Sequence, residues 1–157
     1  MRIPTAHIEV ELDSTERLGA IRQLLSRLVH AGAISRTDEP DIFAAFSERE
    51  EILSTGIGFR VALPHVTSDG VREPVVAFGR SRNGIDFDSI DDAPVEFVFL
   101  FILPSVSLSR QERVKLLARI CRPLANRHTQ EKLRCCSTAK EISSVLEDAY
   151  NDDDRSS

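Results

Sequence analysis

His65 closes the run STGIGFRVALPHV, Ser54 to Val66. Neutral imidazole is a good nucleophile, with an ordinary pKa of about 6.5. It can attack a phosphoryl group and hold it for a short time as phosphohistidine. Such transfer asks the protein mainly for positioning and for compensation of oxygen charge. Both are within reach of this stretch. Ser54-Thr55-Gly56-Ile57-Gly58 is small, hydroxyl-rich and flexible, and such a segment can turn backbone N–H groups toward an anion. Arg49 falls just before it and offers a planar fork of donors suited to oxyanions. Pro64 fixes one dihedral and removes a donor, so the strand FRVAL should stop there and project the imidazole at the edge of a sheet. The plain alternative is that Gly-x-Gly is only a turn. His7, His30 and His128 read as exposed or capping residues. None of them has a partner at metal-ligand spacing, so the sequence supports neither a metal site nor a cofactor.

The elements that must position His65 can be read from periodicity. HIEVEL alternates as a short strand. Ser14 is placed to cap a helix, although Arg17 stands where a capping box wants Glu or Gln. Leu18, Ile21, Leu24, Leu25 and Leu28 then share one helical face, and Gly32 is a stop. A second helix begins near Asp38 with Pro40 in its first turn, and Ile42, Phe43 and Phe46 form its apolar stripe. Pro74–Ser81 is a strand, and Asn83-Gly84 is a turn pair. Val95–Pro104, VEFVFLFILP, is almost continuously apolar and reads as a central strand covered on both faces. A long helix from about Ser109 aligns Val114, Leu117, Ile120 and Leu124, and Pro123 should kink or end it. HTQEKLRCC suggests a helical turn, and TAKEISSVLEDAY a last amphipathic helix. Strands alternate with helices, which predicts an α/β three-layer sandwich: a mixed central sheet with helices on both faces. One domain over residues 1–150 is expected, with a frayed acidic tail at 151–157.

Composition sets the class. The chain has 157 residues, 41% hydrophobic and 29% charged, enough to bury a core without staples. A net charge of −5 is not the balance of a nucleic-acid binder. No apolar run approaches the ~20 residues needed to span a bilayer, and the N-terminus lacks the apolar core of a secretory signal. Three cysteines at no ligand spacing suit a reducing cytoplasm.

Arg49 to His65, REEILSTGIGFRVALPH, resembles the signature of the mannitol/fructose-type enzyme IIA domains (EIIA type 2) of the bacterial sugar phosphotransferase system. The resemblance continues through GIDFDSIDDAPVEFVFLFILP, Gly84 to Pro104, and the Leu-spaced helix after it. Its nearest branch looks like the nitrogen-type regulatory enzyme IIA. The resemblance implies the mannitol-type fold and a phosphoryl carrier. It implies that His65 accepts the group from the small histidine phosphocarrier protein, that Arg49 binds phosphate, and that Ser54, Thr55, Gly56 and Gly58 form the loop beside the ring. The onward partner would be a regulatory protein or a separate sugar permease, so the chain could instead be the IIA component of a fructose or mannitol transporter. Two positions depart from the pattern. Arg113 stands where members commonly carry a second histidine; it can neutralise phosphate but cannot accept a proton. Arg60 stands where glycine is usual, and would crowd the docking surface, touch phosphate, or point to solvent. These departures motivate a rival reading, a regulatory binding module that keeps the fold without the phosphate relay.

Overall fold

The computed structural model of the protein describes residues 1–106 and 108–156. The spine of the fold is β6 (Val95–Pro104). On one side it pairs antiparallel with β5 (Val75–Ile85), which pairs parallel with the short β1 (Ile8–Glu9). On its other side two short strands follow one another along it, both parallel: β3 (Val61–Ala62) and β4 (His65–Ser68). β2 (Gly56–Gly58) hairpins back onto β3. The sheet is therefore mixed, with order β1-β5-β6-β3-β2 and β4 beside β3 on the same flank of β6.

Side chains alternate across a strand, and β6 uses both faces. Val98, Leu100 and Ile102 pack with Leu24, Leu28, Ile42 and Phe46, from α1 (Arg17–His30) and α2 (Glu39–Ile52). Phe97, Phe99, Phe101 and Leu103 pack with Ile120, Leu133, Leu146 and Tyr150. Those partners come from α3 (Arg110–Ala125), α4 (Arg127–Cys135) and α5 (Ala139–Ser156). Burying each phenylalanine contributes about 1.5–3 kcal/mol. Helices on both faces of a mixed sheet are what the apolar run of β6 required.

Several elements differ from expectation, each for a local reason. α1 starts at Arg17 because Ser14 folds onto Glu16, accepting from its N–H at 3.0 Å, instead of capping the helix. Asn83-Gly84 is not a hairpin turn. β5 runs through it with a register shift between Arg80 and Ile85, where Gly84 adopts φ +81°. Pro123 lies within the last turn of α3 without ending it. Val114, expected on the inner face of α3, is exposed. The acidic tail does not fray: residues up to Ser156 continue α5, and Ser157 lies outside the described residues. Arg119 and Arg122 on α3 hold Asp154 and Asp153, at 2.8 and 3.2 Å.

Two charged side chains are interior among the described residues, Glu50 on α2 and Arg80. Arg80 on β5 is 1% exposed. Its Nε donates to the Val10 carbonyl at 3.1 Å, and its Nη1 to those of Leu133 and Cys136 at 2.7 and 2.6 Å. Leu133 and Cys136 sit at the C-terminal end of α4, where a helix presents unsatisfied carbonyls and partial negative charge. Arg80 thus ties α4 to the sheet.

Candidate functional site

The site begins with the buried face of α2. Ile42, Phe46 and Glu50 recur every four residues and are buried, so Glu50 carries a carboxylate inward. A buried carboxylate needs partners. Glu50 has Arg17 at 3.8 Å, the hydroxyl of Thr55, which donates to it, and the Thr55 N–H at 3.4 Å. Thr55 is fixed by those bonds, and its carbonyl accepts from Leu63 N–H at 3.0 Å. The Leu63 carbonyl in turn accepts from His65 Nδ1 at 2.7 Å. A carbonyl can only accept, so Nδ1 carries the ring proton and Nε2 keeps its lone pair. A continuous line of contacts from Arg17 through Glu50, Thr55 and Leu63 therefore sets the tautomer of His65.

His65 does not end a strand but opens one. The Pro64 carbonyl accepts from Phe101 N–H at 2.9 Å, and His65 is the first residue of β4, in register with Phe101. β3 and β4 are separated by Leu63-Pro64, and the half-buried imidazole stands at that break. Its pKa lies below the ordinary value. Burial is the main cause, and Arg49 and Arg113 add to it. The Leu63 hydrogen bond and the Glu50 charge oppose the shift. The ring is therefore held neutral, with a free nitrogen, in the field of two guanidinium groups.

Arg49 comes from the last turn of α2, where its Nη1 donates to the Leu53 carbonyl at 2.6 Å and so closes its own helix end. Arg113 comes from the first turns of α3. That helix starts at a capping box, Ser109 with Glu112, so Arg113 is presented by a well-fixed end. Of the candidates read from the sequence, His65, Arg49 and Arg113 are brought together. Ser54, Thr55, Gly56 and Gly58 lie behind them, not as an open loop but as the approach to β2 and β2 itself. The Ser54 hydroxyl donates to the Phe87 carbonyl and accepts from Gly56 N–H at 3.0 Å. Gly56 is required by close approach: a Cβ there would meet Phe87 Cβ and Ser89 Cβ at 3.1 Å and collide with the Ser89 hydroxyl. Arg60 faces away from His65 and pairs with Glu96 at 3.5 Å.

Residues 2–149 match the family described as "Phosphoenolpyruvate-dependent sugar phosphotransferase system, EIIA 2". This chain belongs to that family. It is 34% identical over 143 residues to the "PTS system fructose-specific EIIA component" of Haloferax volcanii, covering 91% of this chain and 90% of that relative. It is 28% identical over 135 residues to the "Nitrogen regulatory protein" of Pseudomonas aeruginosa, covering 85% and 86%. Its fold superposes with a TM-score of 0.79 on the crystal structure of nitrogen regulatory protein IIA-Ntr from Neisseria meningitidis, at 26% identity over 92% of this chain and 95% of that one.

Within this EIIA 2 chain, two parts of the site were not singled out from sequence. Glu50 stands inside the motif, and its place four residues after Phe46 marks it as a buried anion. The Leu63 carbonyl had no sequence signal, because a main-chain acceptor carries none. Among the described residues of the EIIA 2 chain, no group of three or more His, Cys, Asp and Glu could hold a metal ion, and no helix is long and apolar enough to cross a membrane.

Proposed function

We propose that this protein is a phosphoryl carrier in which His65 Nε2 is the accepting atom and a histidine phosphocarrier protein is the donor. The observation that carries this reading is the 2.7 Å bond from Nδ1 to the Leu63 carbonyl, which leaves Nε2 free on a half-buried neutral ring. The Nε2 lone pair attacks phosphorus in line as the donor's P–N bond breaks. The Nδ1 proton stays against Leu63, which eases the positive charge that bonding at Nε2 places on the ring. Arg49 and Arg113 neutralise the phosphoryl oxygens. Glu50, Thr55 and the β2 glycines act from behind, by fixing Leu63 and the approach of the chain.

The surroundings suit a protein donor. Ile52 and Leu53 at the end of α2, Val106 after β6, and Val114 on α3 are exposed apolar residues. Ile52 and Leu53 lie at the end of α2 that carries Arg49, Val114 is next to Arg113 on α3, and Val106 follows the strand that pairs with β4. A rim of this kind buries apolar area on docking while the charged centre closes over the phosphoryl group. The test is phosphorylation by phosphoenolpyruvate and the two upstream phosphotransferase proteins. An acid-labile mass increase is expected, absent in His65→Ala; a His65→Ala variant that still gains the label sinks the assignment.

For the onward step, the reading from the sequence motif is a regulatory carrier of the nitrogen type. The 34% identity to a fructose-specific EIIA component favours a second reading, the IIA component of a sugar transporter. Transfer of the label onward to a fructose-type IIB domain would select the transport reading; retention of the label with state-dependent capture of a regulatory protein would select the other.

A further inference from the structure

At the far end of β6 from His65, five polar or charged residues surround a concavity of about 550 Å³: Arg60, Glu96, Arg127, Gln130 and Arg134. We propose that this concavity binds a small phosphorylated, hydroxyl-bearing metabolite, at a site separate from the phosphoryl-transfer centre. Glu96 and Phe101 are five residues apart on one strand, so the two sites are about 16 Å apart.

Charge is the first argument. Three guanidinium groups line the space against one carboxylate, on a chain whose net charge is −5. That carboxylate is already engaged. Arg134 grips Glu96 with both ends of its fork, Nε to Oε1 at 3.0 Å and Nη2 to Oε2 at 2.7 Å. Arg60 approaches the same Oε2 through Nε at 3.5 Å, longer than a hydrogen bond. Arg127 meets Glu131 at 3.4 Å with its side chain 93% exposed. Arg60 and Arg127 thus hold donor capacity beyond their ion pairs, and guanidinium forks match phosphate oxygens in pairs.

Construction is the second argument. Gln130 is 7% exposed and fully used. Its Nε2 donates to the Phe59 carbonyl at 2.6 Å and to the Leu124 carbonyl at 2.8 Å, and its Oε1 accepts from Arg134 at 3.4 Å. This one amide joins the tip of the β2–β3 hairpin, the end of α3 and the Arg134 side chain, so the floor is organised before any ligand arrives. The hairpin tip itself is costly: Phe59 and Arg60 have φ of +55° and +63°, a pair of positions that Asn-Gly fills without strain. The chain keeps an arginine there. Arg127, the first residue of α4, adds its charge beside the positive end of that helix. Every lining residue is polar or charged, which suits a phosphate ester carrying hydroxyls and not an apolar ligand.

The experiment is a titration of the 15N-labelled protein with glycerol phosphate, with inorganic phosphate in parallel at constant ionic strength. Saturable shifts are expected at the Phe59, Arg60 and Glu96 amides and the Gln130 side-chain amide, with glycerol phosphate the tighter of the two. Arg60→Gly with Arg127→Gln should weaken this binding about tenfold or more. Arg60→Gly alone should raise the thermal midpoint, since glycine relieves the positive φ, so lost binding cannot be misread as lost folding. Arg127→Gln alone, at an exposed position, repeats the binding test independently. Shifts confined to Arg49, His65 and Arg113 would overturn the proposal while leaving the transfer centre intact, as would shifts at the hairpin that survive the double variant. Capture of a hexaglutamate peptide in preference to glycerol phosphate would assign the face to an acidic protein and overturn it too.

Discussion

One end of β6 supports His65 and the other carries Glu96, and the two ends handle charge in opposite ways. Near Phe101 the ionic groups are paired in series. Arg17 meets Glu50, Glu50 holds Thr55, Thr55 holds Leu63, and Leu63 holds one nitrogen of the ring. That series uses up its own donors and acceptors and leaves the Nε2 lone pair open, in the field of the Arg49 and Arg113 guanidinium groups. Near Val95 three guanidinium groups and one carboxylate line the recess, with Glu131 beside Arg127 outside the lining, and what is left over is donor capacity. A transfer centre needs one atom exposed at a defined angle. A binding recess needs a surplus of one sign. Arg80 marks a third use of the same side chain: buried, it donates from Nε and Nη1 to three main-chain carbonyls and acts as a structural tie.

The sharpest way to break the comparison is to remove matched arginines from each end. Arg49→Ala with Arg113→Ala should slow phosphoryl acceptance by about a thousandfold. Arg60→Gly with Arg127→Gln should leave it within about twofold, because well-separated sites act independently. Initial rates of label transfer from the donor protein read both; equal losses at the two ends would dissolve the distinction. Next in size is the enclosed arginine. Arg80→Leu strands three buried carbonyls at a cost of about 3 kcal/mol. For a chain of this length that lowers the thermal midpoint by about 6–12 °C, with the transfer rate per folded molecule preserved. Calorimetry with a parallel transfer assay checks both halves of that statement.

Smaller effects probe how His65 is tuned. Glu50→Gln keeps hydrogen bonding to Thr55 but deletes the charge that supports the protonated ring, so the His65 pKa should fall further. Arg49→Ala should move it the other way. Both are read from the imidazole proton shifts during a pH titration. Smallest is the effect on stability. With its pKa depressed in the fold, His65 binds its proton more readily in the unfolded chain. The stability it contributes is whole above about pH 6.5 and declines as pH falls from there through the folded value. Denaturation curves of the wild type and His65→Gln should converge over that window as the pH is lowered.

Much of this was legible in the chain. Ten successive residues of β6 with almost no polar interruption can only be a strand covered twice, and that fixes the layers. Gly-x-Gly followed by Pro-His drew attention to His65 as the proposed transfer centre, because ordinary core packing has no use for that combination. What escaped is what depends on distant partners. β2 and β4 are three and four residues long, too short for any periodicity to declare them, whereas β1 and β3 fall inside the strands read from HIEVEL and FRVAL. The tail is helical because Asp153 and Asp154 find arginines on α3, some thirty positions away, which local composition cannot show. Val114 keeps the spacing of a core residue but sits in the first turns of α3, beyond the sheet.

The chain has no tryptophan and a single tyrosine. Tyr150 lies on α5, its hydroxyl donating to the Ile120 carbonyl at 3.0 Å and its ring set edge-on to Phe99. Phe99 stacks on Phe101, the residue in register with His65. Nature has in effect installed one optical gauge in the wall behind the His65 ring. Its near-ultraviolet emission reports whether the last helix is seated, with no other strong fluorophore to confuse the reading.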